Sequence, residues 1–208
     1  YRNFPIPAIG KLPELLSLET SLIGLNVTIP YKKSVLGYLD RREKLPEGLD
    51  ACNCIRIQNG ELIGYNTDVI GFERSLLPLL EQQHTQALIL GNGGAAEAVR
   101  FVLHKLGIPY RVVSRKLQAG TSLTYADLDE SVIRSHTLII NTTPLGTFPE
   151  VETYPDIPYS FLSKNHLLYD LVYNPAKTVF LQKGEAAGAA IKNGYEMLLI
   201  QGEESWRI

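Results

Sequence analysis

Ala87-Leu88-Ile89-Leu90-Gly91-Asn92-Gly93-Gly94-Ala95-Ala96 is the stretch that decides the fold. Four apolar residues, enough for a short buried strand, run straight into three glycines. Beyond them, Ala98, Val99, Val102, Leu103 and Leu106 recur at helical spacing. Gly107 stands where a helix C-terminus favours a left-handed residue. Tyr110 to Ser114 reads as the next strand, so strand, turn, helix and strand together fill about 30 residues, the length of a βαβ unit. In that setting Gly91 permits the tight turn and Gly93 lets the backbone approach a pyrophosphate. Ala96 replaces a third glycine and still packs helix on strand. The helix start offers free N–H groups and a positive dipole end to phosphate. A glycine turn made only for packing is the alternative.

Outward from this unit the alternation continues. Leu123 to Ser135 is a weaker helical region, Thr137 to Asn141 and Leu167 to Val172 are buried strands, and a helix follows over about Pro175 to Ala187. Ala189 to Lys192 is a short strand and Tyr195 to Trp206 a helix. Towards the N-terminus, Tyr1 to Ile9 reads as a strand inside a sheet, with a neighbour expected from a segment preceding Tyr1. Lys11 to Leu18 reads as a helix and Leu22 to Val27 as a strand. Tyr31 to Leu39 reads as a helix with Pro30 in its first turn. Asp40 to Glu47 is a charged surface loop. Ala51–Ile57 and Leu62–Tyr65 are strands joined by the hairpin turn Gln58-Asn59-Gly60-Glu61. A helix from Val69 to about Leu77 follows, capped by Thr67 or Asp68, with Pro78 near its end.

The pattern predicts an α/β protein with mostly parallel sheets in two domains. Residues 1–68, completed by 194–208, make an α/β domain with a mostly parallel sheet, and 69–193 make a Rossmann-like domain. The C-terminal helix returns to the first.

The chain has 208 residues, 45% of them hydrophobic and 20% charged, with a net charge of −2. That balance speaks against electrostatic binding to nucleic acid or a membrane surface. No run is long and apolar enough for a transmembrane helix. Cys52 and Cys54 are too close along one extended segment to act as a staple, and read as free thiols of a reducing cytoplasm. No metal site is expected.

Ser114-Arg115-Lys116 ends the second strand of the glycine unit, where an NAD-binding unit usually carries an acid for the ribose. Two cations there favour a 2′-phosphate, and hence NADP; solvated surface cations are the alternative. A hydride transfer to a carbonyl also needs a proton donor and groups that orient the substrate. Asn26-Val27-Thr28-Ile29-Pro30-Tyr31-Lys32 offers them at one strand-to-helix junction. Lys32 is a cationic donor, with Asn26 and Thr28 two apart on the same side of an extended chain. A polar strand end with a solvated lysine is the plainer alternative. Asp68 is the candidate carboxylate partner, or else a helix N-cap. Asn53 is a neutral donor and acceptor, or else satisfies a neighbouring backbone.

Several motifs in this order carry a resemblance: Asn26 to Lys32, Gly64-Tyr65-Asn66-Thr67-Asp68, the glycine turn, and Asn141-Thr142-Thr143-Pro144-Leu145-Gly146. Tyr169-Asp170-Leu171-Val172-Tyr173-Asn174-Pro175 and Gly194 through Met197-Leu198-Leu199 to Gln201 complete it. Together they resemble shikimate dehydrogenases over essentially the whole chain. The resemblance implies NADPH-dependent reduction of 3-dehydroshikimate to shikimate in aromatic amino acid biosynthesis, by a monomer or homodimer. It implies Lys32 and Asp68 as the catalytic pair, and Asn26, Thr28, Asn53 and Gln201 as substrate-binding residues with Tyr173 lining the cleft. Gly91, Asn92, Gly93, Gly94 and Ala95 would cradle the pyrophosphate. Ser114, Arg115 and Lys116 would form the phosphate clamp, with Thr142 along the cofactor and Gly194 near the nicotinamide. The family's Ser-x-Ser motif is absent. Clamp and strand also depart from the family, with Ser-Arg-Lys for Asn-Arg-Thr and Asp50-Ala51-Cys52-Asn53 for Gly-Ala-Val-Asn. An NAD-preferring quinate/shikimate dehydrogenase and a non-catalytic binding homologue are the alternatives.

Overall fold

The computed structural model describes residues 1–42 and 44–208. Its larger sheet contains β4 (Ala87–Leu90), β5 (Tyr110–Ser114), β6 (Leu123–Thr124), β7 (Leu138–Asn141), β8 (Leu167–Asp170) and β9 (Ala190–Lys192). Every pairing in it is parallel, in the order β6-β5-β4-β7-β8-β9. The order reverses between β4 and β7, where a doubly wound sheet opens a crevice at the carboxyl ends of its strands.

The strands that read as continuous apolar runs are buried on both faces. Leu88, Leu90, Ile139 and Leu168 point one way, where they join a cluster with Ile133 of α4 (Glu130–Ser135) and Phe180 of α5 (Val179–Ala186). Their neighbours Ile89, Ile140 and Tyr169 point the other way. There they join Phe72 of α2 (Thr67–Leu76), Val99 and Leu103 of α3 (Gly94–Lys105), and Met197 of α6 (Tyr195–Arg207). Period-two alternation between two helical layers makes every position of such a strand apolar. Phe72 meets Tyr169 edge-on at 5.1 Å, and the Tyr169 hydroxyl bonds Ser75 Oγ at 2.6 Å.

The smaller sheet holds β1 (Gly24–Asn26), β2 (Cys54–Gln58) and β3 (Glu61–Tyr65). It corrects the expectation of a mostly parallel first sheet, because both of its strand pairings are antiparallel. The reason lies in the hairpin: Asn59 (φ 53°) and Gly60 (φ 82°) both take left-handed backbone and return β3 directly alongside β2. Leu12 of α1 (Leu12–Leu18), Val35, Cys52, Ile55 and Leu62 form its core.

Other boundaries also move. Residues 1–6 form no strand; the first regular element is a 3₁₀ turn at Ile9–Lys11. The expected helix over Tyr31–Leu39 is only a 3₁₀ helix, Ser34–Tyr38. Asn53 lies just before β2, although its backbone still bonds Tyr65 and Val27. The region Leu123–Ser135 splits into β6, a 3₁₀ turn and α4. The helix expected from Pro175 starts at Val179, where Thr178 caps it. The cap of α2 is Asn66, whose side chain accepts the Val69 N–H, and not Thr67 or Asp68. The loop expected over Asp40–Glu47 includes Glu43, which lies outside the described residues. None of the described helices is long and apolar enough to cross a membrane.

Candidate active site

Two segments of the smaller sheet and the start of α2 are fastened together by side-chain amides. Asn66 donates through Nδ2 to the Ala51 carbonyl at 2.8 Å. Asn53 Oδ1 accepts the Thr67 N–H at 2.7 Å, and its Nδ2 donates to Thr67 Oγ1 and to Asp68 Oδ1, both at 3.0 Å. Asn53, Asn66, Thr67 and Asp68 are all buried. With Asn66 serving as the cap, the Asp68 carboxylate is released from helix duty and points at Lys32. The Lys32 Nζ–Asp68 Oδ2 distance is 2.6 Å. Lys32 is itself fixed through its carbonyl, which accepts the Cys52 N–H at 2.8 Å.

Burial is the main electrostatic fact here. The side chains of Lys32 and Asp68 are 16% and 9% exposed, so neither charge is dissolved in solvent and each is the other's principal counter-charge. Breaking the pair would leave one uncompensated buried charge. A lysine held in this way presents a positive charge and a transferable proton at a fixed point.

The glycine turn faces this pair. Gly94, the first residue of α3, lies beside Lys32, so that a Cβ built on it would stand 3.6 Å from Lys32 Cβ. Lys33 reaches across to Glu97 in the first turn of α3 at 2.7 Å. Gly91 has φ +106°, and an added Cβ would come within 2.8 Å of Thr142 Oγ1 and 2.9 Å of Thr143 Cγ2. Side chains are therefore excluded between β4 and the loop after β7. A Cβ on Gly93 would meet nothing within 4 Å, which leaves an open cradle at the helix N-terminus for a diphosphate. These residues fit a dinucleotide. Thr142 Oγ1 donates to the Leu90 carbonyl at 2.8 Å, joining both sides of the crevice. Gly194, the cap of α6, has no room for a side chain, since a Cβ would sit 2.1 Å from the Leu171 carbonyl oxygen. Ser114 Oγ donates to the Lys116 carbonyl at 2.6 Å, and Arg115 and Lys116 are exposed at the mouth.

Not every expected residue converges. Asn26 and Thr28 line a groove of about 1420 Å³ between residues 1–6 and β1, which Cys54 also lines and which Lys32 and Asp68 do not reach. Asn26 Nδ2 donates to the Tyr1 hydroxyl at 3.1 Å. Gln201 donates to the Leu198 carbonyl within α6, and Tyr173 is 48% exposed. Sequence reading also missed residues. Thr67 is bonded to Asn53 and, at 2.9 Å, to Ser205 of α6; its place beside Asp68 was the signal. Asn141 and Asp170 pair at 2.9 Å at the ends of β7 and β8. The polar ends of two otherwise apolar strands were their signal. Cys52 and Cys54 are free and buried, and desolvation pushes the Cys52 thiol up to about 11.

Known proteins resemble this chain over most of its length. A model of the shikimate dehydrogenase substrate binding domain matches residues 1–55. The NADP(+) shikimate dehydrogenase of Methanococcus maripaludis is 39% identical over 203 residues, covering 89% of this chain and 71% of the relative. The crystal structure of shikimate dehydrogenase 1 from Peptoclostridium difficile superposes with a TM-score of 0.85 at 33% identity, covering 100% of this chain and 78% of that one. That of the Thermus thermophilus enzyme, in complex with NADP(H) and shikimate, gives 0.83 at 29% identity over 96% and 78%. By these similarities, over a doubly wound sheet, the chain belongs to the shikimate dehydrogenase family.

Proposed function

We propose that this chain reduces 3-dehydroshikimate to shikimate with NADPH, and that Lys32 and Asp68 are the groups that hold and move the proton. The observation that carries the proposal is the buried 2.6 Å ion pair of Lys32 and Asp68, set against the start of α3. When bound, NADPH supplies the hydride. The Lys32 ammonium polarises the substrate carbonyl and donates a proton to the oxygen as negative charge develops there. Asp68 orients that ammonium, and a proton taken up from solvent restores the lysine after turnover. Asn53 fixes Asp68 in turn, so its amide works within the protein as well as towards substrate. Asn26, Thr28, Tyr173 and Gln201 would bind the substrate as well, although Asn26 and Thr28 line a groove that Lys32 and Asp68 do not reach.

On the cofactor side, Gly91, Asn92, Gly93, Gly94 and Ala95 would hold the diphosphate through backbone N–H groups. Ser114, Arg115 and Lys116 would take the 2′-phosphate, and Thr142 and Gly194 would flank the nicotinamide end. We assign residues 1–68 with 194–208 to a catalytic domain and 69–193 to the cofactor domain. The separate core around Leu12, Val35 and Ile55 supports this division. α6 spans both, with Met197 in the larger core and Ser205 bonded to Thr67. Two buried free thiols suit the reducing cytoplasm we propose as the compartment. The test is NADP-linked turnover of shikimate, followed by NADPH absorbance, in wild type and in Lys32→Ala. Absence of turnover by the wild type, or near-normal turnover by the variant, overturns the assignment.

A further inference from the structure

Arg100 lies on α3, less than two turns beyond the glycine turn, with a side chain only 16% exposed. Its Nη2 donates to Asn92 Oδ1 in the turn and, at 2.8 Å, to the Gly120 carbonyl in the loop after β5. Asn92 repeats the link, its Nδ2 donating to the Ala119 carbonyl at 3.2 Å. Gly120 takes φ +78°, and a Cβ there would lie 3.3 Å from Arg100 Nη1, so the loop comes close to the guanidinium where it has no side chain. The same loop begins with Arg115 and Lys116, and Ser114 folds its start through the Lys116 carbonyl. One guanidinium and one amide thus fasten the loop with the two exposed cations to the turn that would hold the diphosphate.

Two further facts concern charge. Arg100 Nε is buried and has no partner, a donor whose desolvation nothing repays in the structure. The acid nearest to Arg100, Glu97, is 3.4 Å away and shared with Lys33 at 2.7 Å. Positive charge therefore remains in excess beneath the loop, where a phosphate would repay it. The loop follows the second strand of the βαβ unit, the place of the adenosine ribose and its 2′ substituent in this fold.

We infer that Arg100 is a specificity-determining positioning residue for the 2′-phosphate, acting by holding the 115–121 loop against the glycine turn through its forked guanidinium. The inference rests on the NADP reading above. Its test is binding of NADP+ and of NAD+ by calorimetry without substrate, in wild type, Arg100→Ala and Arg100→Lys, with hydrogen–deuterium exchange over residues 115–122 in the unliganded proteins.

Arg100→Ala should weaken NADP+ binding by about tenfold or more, leave NAD+ within about twofold, and speed exchange in the loop. Lysine has one point of charge and no fork, so Arg100→Lys should lose most of the preference too. Equal weakening of both nucleotides, unchanged binding of both, or full preference in the lysine variant overturns the inference. A wild type that binds NAD+ as tightly as NADP+ overturns the NADP reading itself and the inference with it. The wild-type measurement therefore separates the two failures.

Discussion

After β4 the chain enters α3 through a regular glycine turn, whereas after β1 it passes Val27–Lys33 as irregular chain and reaches only a 3₁₀ helix. Both junctions face the same cleft, yet they present different chemistry. The glycine junction offers backbone: an open cradle at Gly93 and a close approach of Gly91 to Thr142. The lysine junction offers one side chain, fixed by the Cys52 N–H on its carbonyl and by Asp68 on its ammonium. A backbone site needs a regular helix start so that several N–H groups converge. A side-chain site needs only one atom in one place, and any backbone path that puts it there will serve. The comparison predicts that damage to the lysine junction removes chemistry while cofactor binding persists, and that damage around the glycine junction loosens the scaffold.

The largest expected effect breaks the lysine junction. Lys32→Ala should lower kcat by about 10³-fold, within the usual range for losing a positioned acid–base group, with NADP+ affinity within about twofold of wild type. Calorimetry beside steady-state kinetics checks both halves. Parallel losses in kcat and in NADP+ binding would mean that the two junctions are one structural unit, contrary to the comparison.

Next comes the scaffold on the cofactor side. Gly194→Ala forces a Cβ to within 2.1 Å of the Leu171 carbonyl oxygen, a backbone atom that has little freedom to yield. We expect a loss of about 3 kcal/mol, read as a fall in Tm on the order of 10 °C. A variant with wild-type Tm would show that α6 can slide to make room.

Much of this contrast was legible in the sequence. The parallel sheet announced itself through near-continuous apolar runs, as strands covered on both faces show. Ala87–Leu90 and Tyr110–Ser114 emerged with their expected bounds, and the helix between them ends within a residue of Leu106 but begins earlier, at Gly94. Lys32 and Asp68 were legible as residue types in a motif. Their 2.6 Å contact joins positions 36 apart, which local periodicity does not encode. What failed was local structure decided by tertiary contacts. Helical spacing at Tyr31, Val35 and Leu39 suggested an α-helix, but Tyr31 is taken by the Ile6 carbonyl and Lys32 by Asp68 and Cys52. The α2 cap went to Asn66 instead of its neighbours because Asn66 also bonds Ala51, a contact invisible from its own segment.

A second buried carboxylate, Asp170, sharpens the comparison. Asp68 has a lysine; Asp170, fully buried, has only neutral donors in Asn141, Val172 N–H and Thr178 Oγ1. Burial pushes its carboxyl up to about 6, against those hydrogen bonds. A carboxyl with a raised folded value costs nothing below its unfolded value near 4, where both states are protonated. Stability is lost as pH rises through about 6. Asp170→Asn keeps the Oδ1 acceptor for Asn141 and Val172 and turns its amide towards the Thr178 oxygen. It should therefore match wild type at about pH 4 and exceed it by about 3 kcal/mol at pH 8. Denaturant melts across that range check the sign. A wild type that gains stability relative to the variant on going from pH 4 to 8 would mean that the hydrogen bonds outweigh burial.

The smallest effect tests what holds Asp68 in place. Asn53 has two of its bonds in Thr67 and one in Asp68, so its truncation leaves the Lys32 partner present but less firmly aimed. A residue that only positions a catalytic group affects the transition state and leaves ground-state binding alone, which lowers kcat at constant KM. A residue that grips the substrate directly raises KM. We expect Asn53→Ala to lower kcat by about tenfold with KM for shikimate within about twofold. The reverse pattern would move Asn53 from the support of Asp68 to the substrate itself. The lysine junction would then depend on the Cys52 N–H and the Asp68 carboxylate alone, and its precision would come from backbone after all, as it does at the glycine turn.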